Sequence, residues 1–262
     1  MNQAIGTAAA ALDDKRVCIH IPCYNCEKFI ARTVSRIPWA SMPAGLEYSV
    51  LFVDNASADG SWKEIERLRD ELKATAILHP ENRGYGGSVK TAFGHCFDNA
   101  IGYMAILHAD GQYAPEELPR LISELVASSS ALHFGSRLTG SPLKGGMPIY
   151  KWAANHVLTG IQNVVLGTHL SEFHSGYRLY RLRLIDKIPW RKLCDGFAFD
   201  NEIIFLLRQH GLGITESTIP TFYGDEKSNV PRIGTPLAIL RNTWRYIRAV
   251  KCGRPDSLYG KQ

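Results

Sequence analysis

The sequence predicts an α/β fold in which a mostly parallel sheet is covered by helices on both faces. Short apolar segments alternate with amphipathic ones along much of the chain, and this alternation is typical of strand–helix–strand units. The apolar segments are hydrophobic on both faces, as are strands that lie between two layers of helices. The chain has 262 residues, of which 45% are hydrophobic and 21% charged. These values suit one large domain, or at most two small ones.

The first three elements follow from short, clear patterns. Residues 16–22 form a short run of β-branched and apolar residues that ends at Pro22, which predicts a strand. A helix is predicted at 26–37 because its apolar residues recur at helical spacing: Phe29, Ile30, Val34 and Ile37. Residues 48–54 are nearly all apolar and predict the second strand.

The alternation continues through the middle of the chain. A charged amphipathic helix follows Gly60, and residues 75–80 predict the third strand. A glycine-rich entry leads into a helix over 83–100, which precedes the fourth strand at 103–110. The remaining elements are predicted as a helix at 114–128, a strand at 131–137, helices around 149–166 and 199–210, and a strand around 212–219.

Between these later elements the pattern is less regular. A loop rich in glycine and proline occupies 140–148, and a polar junction occupies 171–178. The chain contains no internal repeat and no low-complexity linker, so a single folded domain is expected. We divide the chain into a flexible N-terminal tail at 1–15, the domain at 16–230, and a C-terminal basic amphipathic helix and tail at 231–262.

Composition narrows the setting in which the protein works. The N-terminal tail lacks the basic start of a signal peptide, and no apolar run is long enough to span a bilayer. The six cysteines are scattered, which favours reduced thiols in a cytoplasmic protein. The net charge of +5 suits anionic ligands such as phosphates, but it is no signature of nucleic-acid binding, and no nucleic-acid partner is expected.

A basic amphipathic segment lies near the C-terminus, at 236–251. Its apolar stripe consists of Leu237, Leu240, Trp244 and Ile247, and its cations are Arg241, Arg245, Arg248 and Lys251, with no acid among them. Such a helix can lie on an anionic membrane at the cytoplasmic face. It can equally pack its stripe on its own domain or on a partner subunit.

Polar clusters follow three of the predicted strands, at 22–25, 54–61 and 108–112. In open α/β sheets ligands bind at the carboxyl ends of the strands, so these clusters are expected to converge on one site. Gly84, Gly86 and Gly87 open the next helix and would let backbone N–H groups approach a phosphate. The alternative is that these glycines serve a tight turn and close helix packing. Neither a Walker A loop nor a dinucleotide-binding fingerprint is present.

Together these segments resemble glycosyltransferase family 2, whose members are inverting enzymes of the GT-A fold. The resemblance starts near residue 16 and extends to about 230. The family patterns P-x-Y-N, V-D-D-x-S-x-D-G-[ST], N-x-G-x-[GS] and D-A-D-x-Q are matched by PCYN, VDNASADGS, NRGYGG and HADGQ. Two later blocks, GSR at 135–137 and SGYRLYR at 175–181, are similar to those of the polyprenyl-phosphate branch, which includes dolichyl-phosphate mannose synthase.

The resemblance implies a site for a UDP- or GDP-linked sugar donor. Residues of the first loop would line the nucleotide pocket: Pro22, Tyr24, Asn25 and Glu27. Asp54 would hydrogen-bond the base, and Asn55 stands where the family more often has Asp. Gly84 and Lys90 would lie beside the ribose and the diphosphate.

The resemblance also implies a divalent metal, Mn²⁺ or Mg²⁺, between the protein and the diphosphate. Asp110 would bind it and Gln112 would complete its shell. His108 replaces the first acid of D-A-D, and an imidazole is a better ligand for Mn²⁺ than for Mg²⁺. The alternative is that His108 only hydrogen-bonds the ribose or a neighbouring loop.

The acceptor side is implied by later residues. Arg137 matches an arginine that contacts phosphate, and Lys151 and Asn155 fall near further acceptor contacts. Asp200 and Glu202 are candidates for the general base that a hydroxyl acceptor needs, Asp200 being favoured, although both could serve only to cap a helix. A lipid phosphate is already an anion and needs cations instead, for which Arg137, Lys151 and Arg178 are candidates.

We therefore expect a metal-dependent hexosyltransferase that moves a sugar to polyprenyl phosphate in envelope or glycoconjugate biosynthesis. A saccharide or small-molecule hydroxyl is the alternative acceptor. From another class, a non-catalytic sugar-nucleotide-binding protein with a degraded metal site would share most of these residues. A nucleotidyltransferase is disfavoured because its glycine-rich basic loop is missing. A redox role for the Cys-x-x-Cys at 23–26 is disfavoured because the sugar-nucleotide motifs occupy the same sheet edge.

Overall fold

The computed structural model describes residues 12–221, 240–241 and 243–248. Within them, seven strands form one sheet in the order β3-β2-β1-β4-β6-β5-β7. All neighbouring strands are parallel except β6, which is antiparallel to both β4 and β5. The strands are β1 Asp13–Cys23, β2 Glu47–Asp54, β3 Thr75–Leu78, β4 Ile101–Ile106, β5 Leu132–Ser136, β6 Arg178–Arg181 and β7 Ile214–Thr218. The predicted mostly parallel sheet is confirmed.

Helices connect the strands and cover both faces. They are α1 Ile30–Ser35, α2 Ser61–Leu72, α3 Gly84–Asp98, α4 Leu118–Ala127, α5 Ile149–Leu166, α6 Leu182–Ile185 and α7 Phe199–Gln209. Short 3-10 turns occupy Trp39–Ser41, Pro115–Glu117 and Trp190–Lys192. β1 begins at Asp13, three residues before the predicted strand, and the helix predicted at 26–37 is shorter, since α1 begins at Ile30.

Two hydrophobic layers hold the helices to the sheet. One layer packs α1, α2 and α4 against side chains such as Ile19 and Phe52. The other packs α3, α6 and α7 against side chains such as Cys18 and Met104. Neighbouring residues of β1, Cys18 and Ile19, therefore point into opposite layers, as the two-residue period of a strand requires. This is why both faces of the central strands are apolar in the sequence.

Strand β6, which was not predicted, begins at Arg178, the last residue of the polar junction at 171–178. Its end residues, Arg178 and Arg181, are buried. Arg181 donates hydrogen bonds to the Tyr103 hydroxyl at 2.6 Å and to the Leu125 carbonyl at 2.9 Å, near the end of α4. Because the helix end leaves carbonyls without helical partners, a buried arginine can be satisfied there. Because of these two arginines the sequence did not predict a strand here, although β6 lies between β4 and β5 in the sheet.

The chain order of the sheet sets the place of a site. From β1 the chain moves outward through β2 to β3 and then returns to the other side of β1 as β4. The carboxyl ends of β1 and β4 therefore border a crevice at a topological switch point, where open α/β sheets bind ligands. Cys23 at the end of β1 lies opposite Asp54 at the end of β2. Among the described helices, none has the length and hydropathy needed to cross a membrane.

Candidate active site

The loops that follow β1 and β2 are tied to each other by side chains. Asn25 has a left-handed backbone, with φ of +49°, a conformation that Asn adopts more readily than most residues. Its side-chain oxygen accepts the Ala58 N–H at 2.8 Å, and its own N–H donates to the Ser57 hydroxyl at 2.9 Å. Asn25 therefore fixes the shape of this rim of the crevice.

Glu27 makes a second tie between the same loops. Its carboxylate accepts the Gly60 N–H at 3.1 Å, and its N–H donates to Asp59 at 3.3 Å. A Cβ at position 60 would lie 2.5 Å from the Glu27 carboxyl carbon, so a larger residue there would displace the Glu27 carboxylate. Pro22 lies in β1 opposite Val53, and Tyr24 is exposed at the rim. Asn25 and Glu27 are exposed as well, and Tyr24 is the aromatic residue of this predicted group.

Asp54 is fully buried at the end of β2. The Ser57 hydroxyl donates to its Oδ1 at 2.5 Å. Its Oδ2 has no hydrogen-bond partner among the described residues. Burial raises the pKa of this carboxyl, and the hydrogen bond from Ser57 opposes that shift. An unpaired buried acceptor is costly, so Asp54 is suited to receive an N–H donor from a ligand.

Asn55 organises the approach to α3. Its amide nitrogen donates to Asn82 at 2.9 Å, while its oxygen accepts the Arg83 N–H at 2.9 Å and contacts His79 Nδ1 at 2.9 Å. An aspartate at this position would offer acceptors only and would lose the donor that Asn82 receives. This contact explains why the chain departs from the family pattern at position 55.

The glycine-rich entry to α3 packs against the loop before α7. Gly84 has φ of +73°, and a Cβ there would lie within 3.0 Å of the Asp195 backbone. The Gly87 N–H donates to the Asp195 carbonyl at 3.1 Å. The Lys90 ammonium pairs with the Asp195 carboxylate at 2.7 Å and is also bonded to the Leu193 carbonyl. These contacts favour the packing role for the glycines, and they direct Lys90 to residues 193–195.

Asp110 follows β4 at the same edge as Asp54. It is half-buried, and its Oδ1 accepts the Gln112 N–H at 3.1 Å. In the described part of the chain no three His, Cys, Asp or Glu side chains converge as a metal site. Mg²⁺ and similar hard cations are commonly held by one or two carboxylates together with substrate phosphates. A single carboxylate beside the crevice fits a metal of that kind, and Asp110 would hold Mn²⁺ or Mg²⁺ when a diphosphate is bound.

His108 is held by its neighbours on three sides. Its Nε2 lies 3.2 Å from the Gly176 carbonyl oxygen. Its ring stacks on Tyr85, with centroids 5.6 Å apart, and packs against Tyr113 at 5.2 Å. A Cβ at Gly176 would lie 2.5 Å from Nε2. His108 therefore contacts a neighbouring loop through Nε2, as one of the two alternatives predicted. If the ring also bound a metal, it would do so through Nδ1.

Two arginines contact the loop before β6: Arg137 directly follows β5, and Arg178 is the first residue of β6. Arg137 forms a paired contact with the fully buried Glu172, which also accepts the Arg137 N–H at 2.8 Å. Arg178 is fully buried and donates to the carbonyls of Ser175 at 2.8 Å and Phe173 at 2.9 Å. Arg178 therefore stabilises this loop from inside, whereas Arg137 lies at its edge.

The two candidate bases occupy different surroundings. Asp200 Oδ1 lies 3.4 Å from Arg178 Nε, and burial raises the pKa of Asp200 while Arg178 and His108 oppose the shift. Glu202 accepts the Cys194 N–H at 2.7 Å, and burial raises its pKa too. Asp200 therefore belongs to the cluster around His108, whereas Glu202 holds the loop that packs on α3.

Several residues of this cluster were not predicted from the sequence. Tyr85 stacks on His108, the Tyr113 hydroxyl oxygen accepts the Gly176 N–H at 2.7 Å, and Glu172 pairs with Arg137. The sequence contains only weak signals for them: Tyr85 is an aromatic residue between two glycines, and Glu172 is an acid within the polar junction at 171–178. The five cysteines in the described part of the chain are free, and Cys23 and Cys26 are both buried.

Comparison with known proteins places the chain among sugar-transferring enzymes. A family model described as Glycosyl transferase family 2 matches residues 18–189. A UDP-N-acetylglucosamine–dolichyl-phosphate N-acetylglucosaminyltransferase of Methanococcus voltae is 24% identical over 80% of this chain and 87% of its own. An undecaprenyl-phosphate mannosyltransferase of Micrococcus luteus is 28% identical over 78% of this chain and 82% of its own.

A solved structure supports the same fold. The glucosyl-3-phosphoglycerate synthase of Mycobacterium tuberculosis, crystallised with Mn²⁺, UDP-glucose and glycerol 3-phosphate, superposes with a TM-score of 0.63 at 15% identity. The match covers 93% of this chain and 82% of the synthase. The GT-A fold expected from the sequence is confirmed.

Proposed function

We propose that this chain, which belongs to glycosyl transferase family 2, transfers a sugar from a UDP-linked donor to a polyprenyl phosphate with inversion at the anomeric carbon. The chain is a glycosyltransferase by family. The donor nucleotide, the acceptor and the stereochemistry are the proposal. Such a reaction would serve envelope or glycoconjugate biosynthesis at the cytoplasmic face of a membrane.

The buried Asp54 is the observation that carries the donor half of the proposal. Its unpartnered Oδ2 lies at the carboxyl end of β2, next to the crevice between β1 and β4. A uracil ring offers one ring N–H, and a hydrogen bond to a charged acceptor contributes about 1.5–3 kcal/mol. The UDP bound to the M. tuberculosis synthase and the UDP-linked donor in the name of the M. voltae relative support uridine over guanosine.

Asp110 would hold the divalent metal, with Gln112 beside it. A bound metal neutralises charge on the leaving diphosphate. The chain's own contribution is geometric: the Gln112 N–H holds one carboxylate oxygen of Asp110 at 3.1 Å, which orients the other oxygen. The Mn²⁺ crystallised with the M. tuberculosis synthase supports Mn²⁺ as the first metal to test.

On the acceptor side, a phosphate oxygen would form the new bond to the anomeric carbon as the bond to the diphosphate breaks. The acceptor is already an anion, so it needs a cation more than a general base. Arg137 would supply that cation at the edge of the cluster. Asp200 is buried beside Arg178, and it would act as a base only for a hydroxyl acceptor. The names of the M. voltae and M. luteus relatives both contain a lipid phosphate.

The donor half is tested by thermal shift with UDP, GDP, CDP and dTDP, each with and without Mn²⁺ or Mg²⁺. A ligand that binds the folded state raises its apparent stability by about 2.7 kcal/mol at 100 times its Kd. We expect UDP with Mn²⁺ to give the largest rise. Asp54→Asn should weaken UDP binding by about tenfold or more, and Asp110→Asn should remove the effect of the metal. Stabilisation by another diphosphate in preference to UDP would contradict the proposed donor.

The acceptor half is tested by transfer of a radiolabelled sugar from the best donor. Phosphorylated polyprenol, unphosphorylated polyprenol and short oligosaccharides are compared as acceptors. We expect label only in the phosphorylated lipid. Label in the oligosaccharides alone would replace the proposed acceptor by a hydroxyl, and UDP binding without any transfer would favour a sugar-nucleotide-binding protein.

A further inference from the structure

Helix α5 is built with its apolar side outward. Val164 is 86% exposed, Val157 62% and Tyr150 61%, and Ile149 and Ile161 are also exposed. Positions 150, 157, 161 and 164 lie on one side of a helix. The helix has 18 residues, and the stripe from 150 to 164 is about 21 Å long.

Two of the three buried residues of α5 are polar, the third being Leu166. Thr159 and Gln162 are buried, and the Gln162 amide bonds to Asn201 of α7. Asn163 bonds the backbone of Leu170 in both directions, at 2.7 and 2.9 Å. An ordinary surface helix buries its apolar stripe and exposes its polar one. The reversed arrangement marks a surface meant to contact something apolar.

The charges around this surface are positive. Between Arg137 and Glu172 the sequence contains Lys144 and Lys151 but no Asp or Glu. The helical residues 240–241 and 243–248 contact α7 through the ring of Tyr246, which lies 5.0 Å from the ring of Phe205. That segment exposes Trp244 and Leu240 and carries three arginines without an acid. Both α5 and this segment therefore flank α7 with exposed apolar and basic residues.

We propose that the outer side of α5 docks on an anionic lipid bilayer. A bilayer offers an apolar interior to the stripe and negative headgroups to Lys144, Lys151 and the arginines near Trp244. Exposed aromatic rings such as Tyr150 and Trp244 suit the boundary between headgroups and acyl chains. A second copy of the chain would instead bring like-charged lysines together without acids to pair with them.

This inference deepens the proposed function, because a lipid-linked acceptor has to be met at a bilayer. It adds the surface by which the enzyme would approach the lipid, and it names α5 in addition to the basic segment near the C-terminus. Its test needs neither donor nor acceptor. If the protein bound UDP with Mn²⁺ but did not bind vesicles, the proposed donor would be supported and this inference would be contradicted.

The test compares two double variants that add the same charge at exposed positions. Val157→Asp with Val164→Asp places two carboxylates in the stripe. Trp39→Asp with Ala44→Asp places two carboxylates at exposed positions remote in sequence from α5 and also removes a large exposed ring. Each protein is sedimented with vesicles of phosphatidylcholine alone or with about 30% phosphatidylglycerol, at low and high salt. Thermal stability and oligomeric state are measured in parallel.

We expect the unsubstituted chain to bind the anionic vesicles more tightly than the neutral ones, and less tightly at high salt. The α5 variant should bind about tenfold more weakly or worse, with unchanged thermal stability, and the control variant should stay within about twofold. Absence of vesicle binding, or equal loss in both variants, would overturn the inference. A fall in thermal stability of the α5 variant would show that another segment of the chain covers the stripe. Conversion of a dimer to a monomer without vesicle binding would assign the surface to a second copy.

Discussion

His108 illustrates, at the scale of a residue, how one hydrogen bond and two ring contacts fix a side chain within the candidate site. Its Nε2 lies at hydrogen-bonding distance from the Gly176 carbonyl, and its ring packs between Tyr85 and Tyr113. The Gly176 N–H is itself bonded to the Tyr113 hydroxyl. His108 thus connects the end of β4 to the loop that carries Glu172, the partner of Arg137.

We predict that His108→Gln leaves the affinity for Mn²⁺ within about threefold of the original. The reason is that Asp110 and the diphosphate would supply the oxygen ligands that hard cations prefer, so the loss of one imidazole should change the affinity little. The lost ring contact and hydrogen bond should lower stability by about 1–2 kcal/mol. Free Mn²⁺ is measured by electron paramagnetic resonance in the presence of UDP.

Asp110→Asn is the reference for that experiment. It removes a carboxylate at the position proposed to bind the metal, and we expect Mn²⁺ affinity to fall by about tenfold or more. If His108→Gln lowered the affinity for Mn²⁺ as much as Asp110→Asn does, His108 would be a metal ligand through Nδ1.

The sequence indicated where the candidate site lies, but it could not show which of its side chains are hydrogen-bonded to other parts of the protein. The strand ends rich in Asp and Asn lie at one edge of the sheet, as predicted, because parallel strands end together. Asn25 and Glu27 turned out to bond the neighbouring loop, and Lys90 bonds Asp195. These partners lie between about 30 and 100 positions away in the chain, and no local pattern reports such a contact.

At the scale of elements, the packing of α3 on the loop before α7 decides where glycine is required. A Cβ at Gly86 would lie 2.8 Å from Phe199 Cβ and closer still to the Cys194 carbonyl oxygen. A Cβ at Gly94, further along the same helix, would have no neighbour within 4 Å. Replacing these two glycines of α3 with alanine should therefore change the stability in opposite directions.

We predict that Gly86→Ala destabilises the protein by about 2 kcal/mol or more, because backbone and core atoms must move. Gly94→Ala should stabilise it by about 0.5–1 kcal/mol through helix propensity. Urea unfolding of both variants measures the difference. Equal effects of the two substitutions would mean that α3 can shift away from residues 194–199.

Elements with a clear hydrophobic period were predicted well, and β6 was not. The helix at 149–166 and the strand pairing of the first half agree with the sequence patterns. Strand β6 carries arginines at both ends and is only four residues long. Its arginines donate hydrogen bonds to backbone carbonyls of distant helices and loops. Charged residues usually indicate an exposed segment, so the sequence did not predict a buried strand here.

At the scale of the whole molecule, buried histidines make the stability depend on pH. His20 lies in β1 without exposed area, and neither ring nitrogen has a partner of normal geometry among the described residues. Burial lowers the pKa of His20 from 6.5 to about 3, and burial lowers that of His174 to about 4. Below pH 6.5 the unfolded chain takes up these protons while the folded chain does not. Stability from these groups is therefore full above pH 6.5 and declines as the pH falls.

We predict that His20→Leu becomes progressively more stable than the original chain as the pH falls from 6.5 to 4. The difference should grow by about 1.4 kcal/mol per pH unit in that window. Comparing the two proteins in urea at each pH cancels the raised pKa values of Asp54 and Asp200, which act in the opposite direction. A constant difference from pH 7.5 to pH 4 would mean that His20 accepts a proton in the folded state.

The position of β6 has a consequence for the chain as it is being made. Strand β4 is apolar along its whole length and is fully buried in the finished sheet. Its outer neighbour is β6, which is encoded only after β5 and α5. While the ribosome synthesises those segments, one edge of β4 has no partner, and an unpaired apolar edge invites pairing with other chains. The nascent protein therefore passes through a period that ends only when Arg181 has emerged, and chaperones would protect it most in that interval.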